Sequence, residues 1–208
     1  MENNLSIVKD KFKELPNNIE AEQSVIGSIL VTNEIFDEIS TIISSTNFYD
    51  PMHQKIYNAM ESLIYKGMLA NPITLKNYFE DEKDDLDVPE YLVKITKFST
   101  SVRQAIEYSK IIYDMFVRRE LIKISEQVNN KEYVFKKLST ENNELYGSVK
   151  PTEIAKLIQE TNKIDIKPSM IQPVQEIKSL GKHKVKISLH SSVDAEITID
   201  VQSAETIQ

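Results

Sequence analysis

The sequence predicts a mainly α protein: a helical domain over residues 1–128, followed by a small α+β domain with an antiparallel hairpin over residues 129–208. Three observations carry this. Apolar residues recur at helical spacing up to Val128, the period changes at Asn129-Asn130, and two clean period-2 runs close the chain. Charge divides at the same place: residues 1–128 carry 14 Lys and Arg against 21 Asp and Glu, whereas residues 129–208 carry 11 of each.

Residues 1–14 are polar, with only Leu5, Ile7, Val8 and Phe12 apolar before Leu15, and read as a lead-in or a short helix. From Ile19 the spacing becomes helical. Ile35, Phe36, Ile39, Ile42 and Ile43 fit one amphipathic template, and Ile56, Tyr57, Met60, Leu63 and Ile64 repeat it. Asp50-Pro51 reads as an N-cap with proline in the first turn, and Gly67 as a left-handed helix end. Asn71-Pro72 and Asp87-Val88-Pro89 are two further cap-plus-proline starts.

The run from Ser101 to Val128 lacks glycine and proline and predicts one long helix. Ile106, Tyr113, Phe116, Val117, Leu121, Ile124 and Val128 form a stripe, while Ile111, Ile112 and Met115 lie off it. A helix apolar on most sides must be covered on most sides. Either it is the central core helix, or it packs against a second copy, with Ile111, Ile112, Met115 and Phe116 as the apolar contacts.

Beyond Asn130, Tyr133-Val134-Phe135 is a short strand and Thr140 to Asn143 a turn. A helix runs from Pro151 to about Glu160 with Ile154, Leu157 and Ile158 inward. Val185, Ile187 and Leu189 then alternate with polar residues, as do Val193, Ala195, Ile197, Ile199 and Val201, so one face of the hairpin is buried.

The chemistry-bearing patterns are mostly negative. Zero cysteines removes disulfides, thiolate nucleophiles and Cys-based zinc sites, and fits a reducing cytoplasm. Glu80, Asp81, Glu82, Asp84, Asp85, Asp87 and Glu90 form an acidic cluster without the glycine and alternating ligands of a calcium loop. His183 and His190 fall on opposite faces of one strand, and His53 lies in the other domain. No G-x-x-x-x-G-K-[ST] occurs, and Gly181-Lys182 lacks its strand-loop-helix context. No catalytic residue, metal ligand or cofactor site is assigned; the chain is expected not to be an enzyme. The N-terminus has no signal-peptide pattern and no apolar run approaches the ~20 residues of a membrane span, which together predict a cytoplasmic protein without membrane contact.

The acidity of the first domain argues against unaided nucleic-acid binding. In the second, Lys182, Lys184, Lys186 and His190 share a strand face that could meet RNA phosphates, but acidic residues of the neighbouring strand can neutralise them.

Two resemblances add to this reading. Leu15-Pro-x-Asn-Ile-Glu-Ala-Glu-x-Ser-Val, Asn47-Phe48-Tyr49-x-Pro51-x-His53, Ile73-Thr74-Leu75 and Arg118-Arg119-x-Leu121-Ile122-x-Ile124-Ser125 resemble, in order, the N-terminal domain of bacterial DnaB-type helicases over residues 15 to about 127. The resemblance implies a helical head and hairpin that form a collar by self-association and dock primase, here without the ATPase motor.

Leu145-Tyr146-Gly147-Ser148-Val149, then Ile177-Lys178-x-Leu180-Gly181-x-His183-x-Val185 and Leu189-His190-x-x-Val193, resemble the C-terminal domain of large-subunit ribosomal protein L-nine from about Lys131 to Val201. That implies a ribosomal component binding rRNA, with Ser148 added to the contacts named above. Lys150 replaces the helix-capping threonine usual in that family, and Ser191 the proline after the histidine. Gly147 also reads as a special backbone position leading into the helix, with Ser148 bonding locally. A joined product retaining neither parental function is a further reading.

Overall fold

The computed structural model describes residues 14–79, 87–172 and 175–204. The expected lead-in, apart from Glu14, and the acidic residues Glu80, Asp81, Glu82, Asp84 and Asp85 lie outside them. Seven α-helices and six strands occupy the described residues, in two compact units that divide between Arg119 and Glu120.

The first unit holds α1 (Ile19–Val31), α2 (Phe36–Ser40), α3 (Pro51–Tyr65), α4 (Pro72–Lys76), α5 (Val88–Ile95) and the first turns of α6 (Val102–Val128). Its central helix is α1. Asn18 caps it by accepting from the Ala21 N–H at 3.0 Å, and Ala21, Val25, Ile26, Ile29 and Leu30 are all buried. Gly27 allows the closest approach: a Cβ there would stand 2.4 Å from the Ile95 carbonyl oxygen at the end of α5.

Local chemistry sets the other helix ends. Asp50 accepts from the Met52 and His53 N–H groups with Pro51 at the first position of α3. At the far end Gly67 takes φ of 72°, its N–H bonds the Ile64 carbonyl and that of Met68 the Leu63 carbonyl, which is a Schellman closure. Asn71 and Thr74 form a reciprocal capping box on α4, and Asp87 accepts from the Glu90 N–H on α5.

The second unit is a four-stranded sheet in the order β1-β6-β5-β3, a two-stranded sheet β2-β4, and one helix. The strands are β1 (Glu132–Lys137), β2 (Glu144–Val149), β3 (Ile171–Gln172), β4 (Ile177–Ser179), β5 (Gly181–His190) and β6 (Val193–Ser203), with α7 (Pro151–Asn162) between β2 and β3. The β5-β6 hairpin is antiparallel, with Val185 opposite Ile197 and Ile187 opposite Ala195, and its apolar parity is buried. β1 joins β6 in parallel, Tyr133 opposite Ile199.

The division into units falls within α6, ahead of the composition change at Asn129-Asn130. The last turns of the helix are tied to the second unit: Ile122, Ser125 and Val128 are buried, Ser125 Oγ donates to the Asp194 carbonyl at 2.8 Å, and the Glu196 N–H donates to Asn129 Oδ1 at 2.9 Å.

Candidate interaction surfaces

In the first unit the motif residues meet in a buried polar network. Glu22 of α1 and His53 of α3 are 1% and 0% exposed, and His53 Nδ1 lies 2.7 Å from Glu22 Oε2. The carboxylate also accepts the Tyr49 N–H at 2.6 Å and the Asp50 N–H at 3.3 Å. On its other side the imidazole meets the Tyr91 hydroxyl of α5 at 2.8 Å, and Gln23 donates to that hydroxyl at 3.2 Å. Burial pushes the Tyr91 phenol above its usual range, against the lowering effect of the Gln23 bond. The network therefore joins α1, α3 and α5 and leaves His53 no room to serve as a metal ligand.

Arg119 of α6 makes a second junction. Its guanidinium donates to the Pro16 carbonyl at 2.8 Å and the Asn47 carbonyl at 2.6 Å, and lies over the rings of Tyr49 and Phe116. Periodicity alone gave no signal for this role, because a buried arginine reads as a surface charge until its carbonyl partners are located.

The four apolar residues expected to meet a partner separate. Ile112 is 2% exposed within the core of the first unit, which withdraws it from any outward contact, and Ile111 is half-buried and packs against that core. Helical spacing puts Ile112, seven residues on, on the side of α6 that carries the buried Ala105. Met115 and Phe116 remain half-buried. Ile106 and Val117 are half-buried as well, and Tyr113 is 47% exposed. α6 is thus a helix with one face on the core, and α1 holds the central place.

In the second unit the basic face is paired. Lys182 Nζ lies 2.8 Å from Glu132, Lys184 Nζ 2.8 Å from Glu196 and Lys186 Nζ 2.8 Å from Asp194. The hydrogen bond and charge of Glu132 hold the exposed Lys182 ammonium above its usual range. His190 Nδ1 bonds locally to Ser192, and Ser148 is half-buried in β2. Lys184 thus meets the expected Glu196 of the neighbouring strand, whereas Lys186 is paired with Asp194 and Lys182 with Glu132 of β1. Gly147 corrects an expectation: it sits in β2 without a positive φ, whereas Gly181 takes φ of 107° where β4 turns into β5. Lys150 shows how α7 starts without a capping hydroxyl, since Glu153 Oε2 accepts the Lys150 N–H at 3.0 Å. Among the described residues no group of His, Asp or Glu is arranged to hold a metal ion, and no helix is long and apolar enough to cross a membrane.

Residues 14–114 match the family model for the DnaB-like helicase N terminal domain, and residues 119–203 match that for the ribosomal protein L9 C-terminal domain. The two matches follow one another along the chain. The DnaB-type unit is similar to Replicative DNA helicase DnaB of Rickettsia felis, 41% identical over 121 residues, covering 57% of this chain and 24% of the helicase. The Rickettsia typhi helicase matches at the same identity and coverage. The L9-type unit is similar to Large ribosomal subunit protein bL9 of Pelagibacter ubique, 75% identical over 81 residues, covering 39% of this chain and 53% of that protein. The chain thus spans about a quarter of the helicases' length and about half of the ribosomal protein's. Among solved structures, the DnaB N-terminal domain of Mycobacterium tuberculosis aligns with a TM-score of 0.49 at 23% identity, covering 53% of this chain and 81% of that one.

Proposed function

We propose that this protein is a non-catalytic interaction protein of DNA replication, whose DnaB-type unit self-associates as a collar and docks primase. The observation that carries this reading is the use made of the motif residues. Glu22, Asn47, His53 and Arg119 are each buried in contacts that hold the unit together, so the resemblance rests on a scaffold and not on a reactive centre. Met115 and Phe116, both half-buried, and the exposed Tyr113 of α6 supply the apolar contact surface.

The test is sedimentation of the full chain, alone and with a bacterial primase. The expected result is a concentration-dependent assembly that also retains primase. A strictly monomeric chain that ignores primase at high micromolar concentration rejects the proposal.

The 75% identity of the second unit to a ribosomal protein favours one further reading, in which that unit binds rRNA through Ser148, Lys182, Lys184, Lys186 and His190. The acidic partners of the three lysines weaken it. RNA binding that falls with salt and is lost on reversing the charge of those lysines supports it; binding indifferent to both rejects it.

A further inference from the structure

We propose that two copies of this chain join edge to edge through β1, antiparallel about a two-fold axis at Val134, so that their four-stranded sheets become one. The proposal concerns the second unit and does not depend on the docking reading of the first. It starts from the backbone of β1, the outer strand of the order β1-β6-β5-β3, which runs parallel to β6. The Lys131 carbonyl accepts the Thr198 N–H at 2.9 Å and the Lys137 carbonyl the Ala204 N–H at 2.8 Å, so the odd-numbered residues turn their peptide groups toward β6. Alternation along the ladder turns the N–H and C=O groups of Glu132, Val134 and Lys136 the other way.

β2 does not close this edge. It meets β1 only beyond its far end, where the Leu138 carbonyl accepts the Tyr146 N–H at 3.1 Å and Ser139 bridges Leu145, and it then turns away to pair with β4. Among the described residues no backbone partner stands on the outer side of Glu132, Val134 or Lys136. Their side chains share the face opposite the buried Tyr133 and are all exposed, Val134 nearly half. An uncovered edge of this kind is a template for a further strand.

The side chains select a second copy as that strand. With the two-fold at Val134, this valine faces its own twin and Glu132 faces Lys136 on either side of it, an opposite-charge pair repeated by symmetry. Glu132 also bonds Lys182 of its own sheet at 2.8 Å, and its two oxygens can accept both lysines. On the other face the same register sets Tyr133 beside Phe135 of the other copy, a ring that a single chain leaves half-buried. Neighbouring registers fail. Moving the axis one residue toward Asn130 brings Lys136 opposite Asn130, whose N–H is held by the Glu196 carbonyl at 2.7 Å. Moving it one residue toward Lys137 brings Glu132 opposite Leu138, whose carbonyl is taken by Tyr146. Both also separate the charges. Charged side chains commonly blunt a sheet edge, but these two differ in sign and stand symmetrically about Val134, so they attract in this register alone.

The chain has no cysteine, so one introduced thiol reports on the pairing in the full-length protein. Directly opposed residues of a hydrogen-bonded antiparallel pair have Cα atoms about 5.5 Å apart, within reach of a disulfide. Val134→Cys should therefore link to itself on mild oxidation several-fold faster than Ser191→Cys, an exposed control on the β5-β6 turn. In the Val134→Cys chain, Glu132→Lys should reduce linkage several-fold and the added Lys136→Glu should restore it. These positions are exposed, and circular dichroism checks that the fold is kept. Linkage at Val134 no faster than at Ser191 overturns the pairing; linkage indifferent to the first charge change, or not restored by the second, overturns the register. Sedimentation separates this proposal from the docking reading. A chain that assembles without preferential linkage at Val134 leaves the first unit's self-association standing, and a monomer overturns both.

Discussion

At the scale of single residues, polar and small side chains in this protein act by what they let the backbone do. Gly27 is the clearest case. Because a Cβ would meet the Ile95 carbonyl oxygen at 2.4 Å, Gly27→Ala must push α1 away from the end of α5, and a backbone neighbour cannot rotate aside. The expected cost is about 1–3 kcal/mol, read as a lower denaturant midpoint for the first unit while the second is unaffected. Asn33 works by a similar economy of position, its side chain accepting the Ala70 N–H at 2.7 Å and donating to the Ala70 carbonyl at 2.8 Å. Glu153 carries a pH dependence. Partial burial raises its carboxyl, but the bonds from Lys137 and the Lys150 N–H outweigh this and hold it below the usual range. A depressed carboxylate contributes stability that is present above its unfolded value and is lost as pH falls through its folded one. The side chain is 39% exposed, so solvent screening keeps the contribution small, about 0.5 kcal/mol. Glu153→Gln should flatten the acid limb of thermal stability in the second unit.

At the scale of elements, helix boundaries follow the local chemistry closely. Asp50-Pro51, Asn71-Pro72 and Asp87-Val88-Pro89 all begin helices as their residue types require, and Gly67 ends one. The exception is the end of α7, where Lys163 takes a left-handed φ of 61° that a side chain disfavours. Lys163→Gly should therefore stabilise the second unit by about 0.5–1 kcal/mol, since relief of that strain exceeds the extra freedom of the unfolded glycine. Thermal unfolding of the variant measures it; a lower melting temperature would contradict the account. The period-2 runs were equally legible, because one face of β5 and β6 is buried and a slip of one residue would invert it. β2, β3 and β4 leave no strand signal in the sequence: they are short, irregularly paired and half exposed, so no alternation marks them.

At the scale of the whole molecule, the chain is two units with separate cores, and each should respond to damage by itself. Ile197→Ala empties a buried site in the hairpin and should cost about 2–5 kcal/mol. The loss should appear in the unfolding of the second unit alone, with hydrogen exchange in α1 unchanged. The boundary within α6 makes a second demand. A fragment of residues 120–204 keeps Ile122, Ser125 and Val128, whereas one of residues 129–204 loses three buried side chains and the Ser125 bond to Asp194. The longer fragment should unfold cooperatively at a clearly higher temperature; equal melting of the two would return the boundary to Asn129.

The sequence by itself determined the fold class, the order of the main helices, the hairpin and its pairing of Lys184 with Glu196, and both resemblances. These depend on nearest neighbours and on a fixed repeat, and so survive without coordinates. Tertiary structure alone decided which side of α6 is inward, that α1 is the central helix, and that Glu22, His53, Tyr91 and Arg119 are internal connectors. A helix apolar on most sides does not indicate which side its own core will take, and a charged or polar residue reads as surface until the carbonyls and carboxylates around it are known. Those are distances between residues far apart in the chain, and only packing sets them.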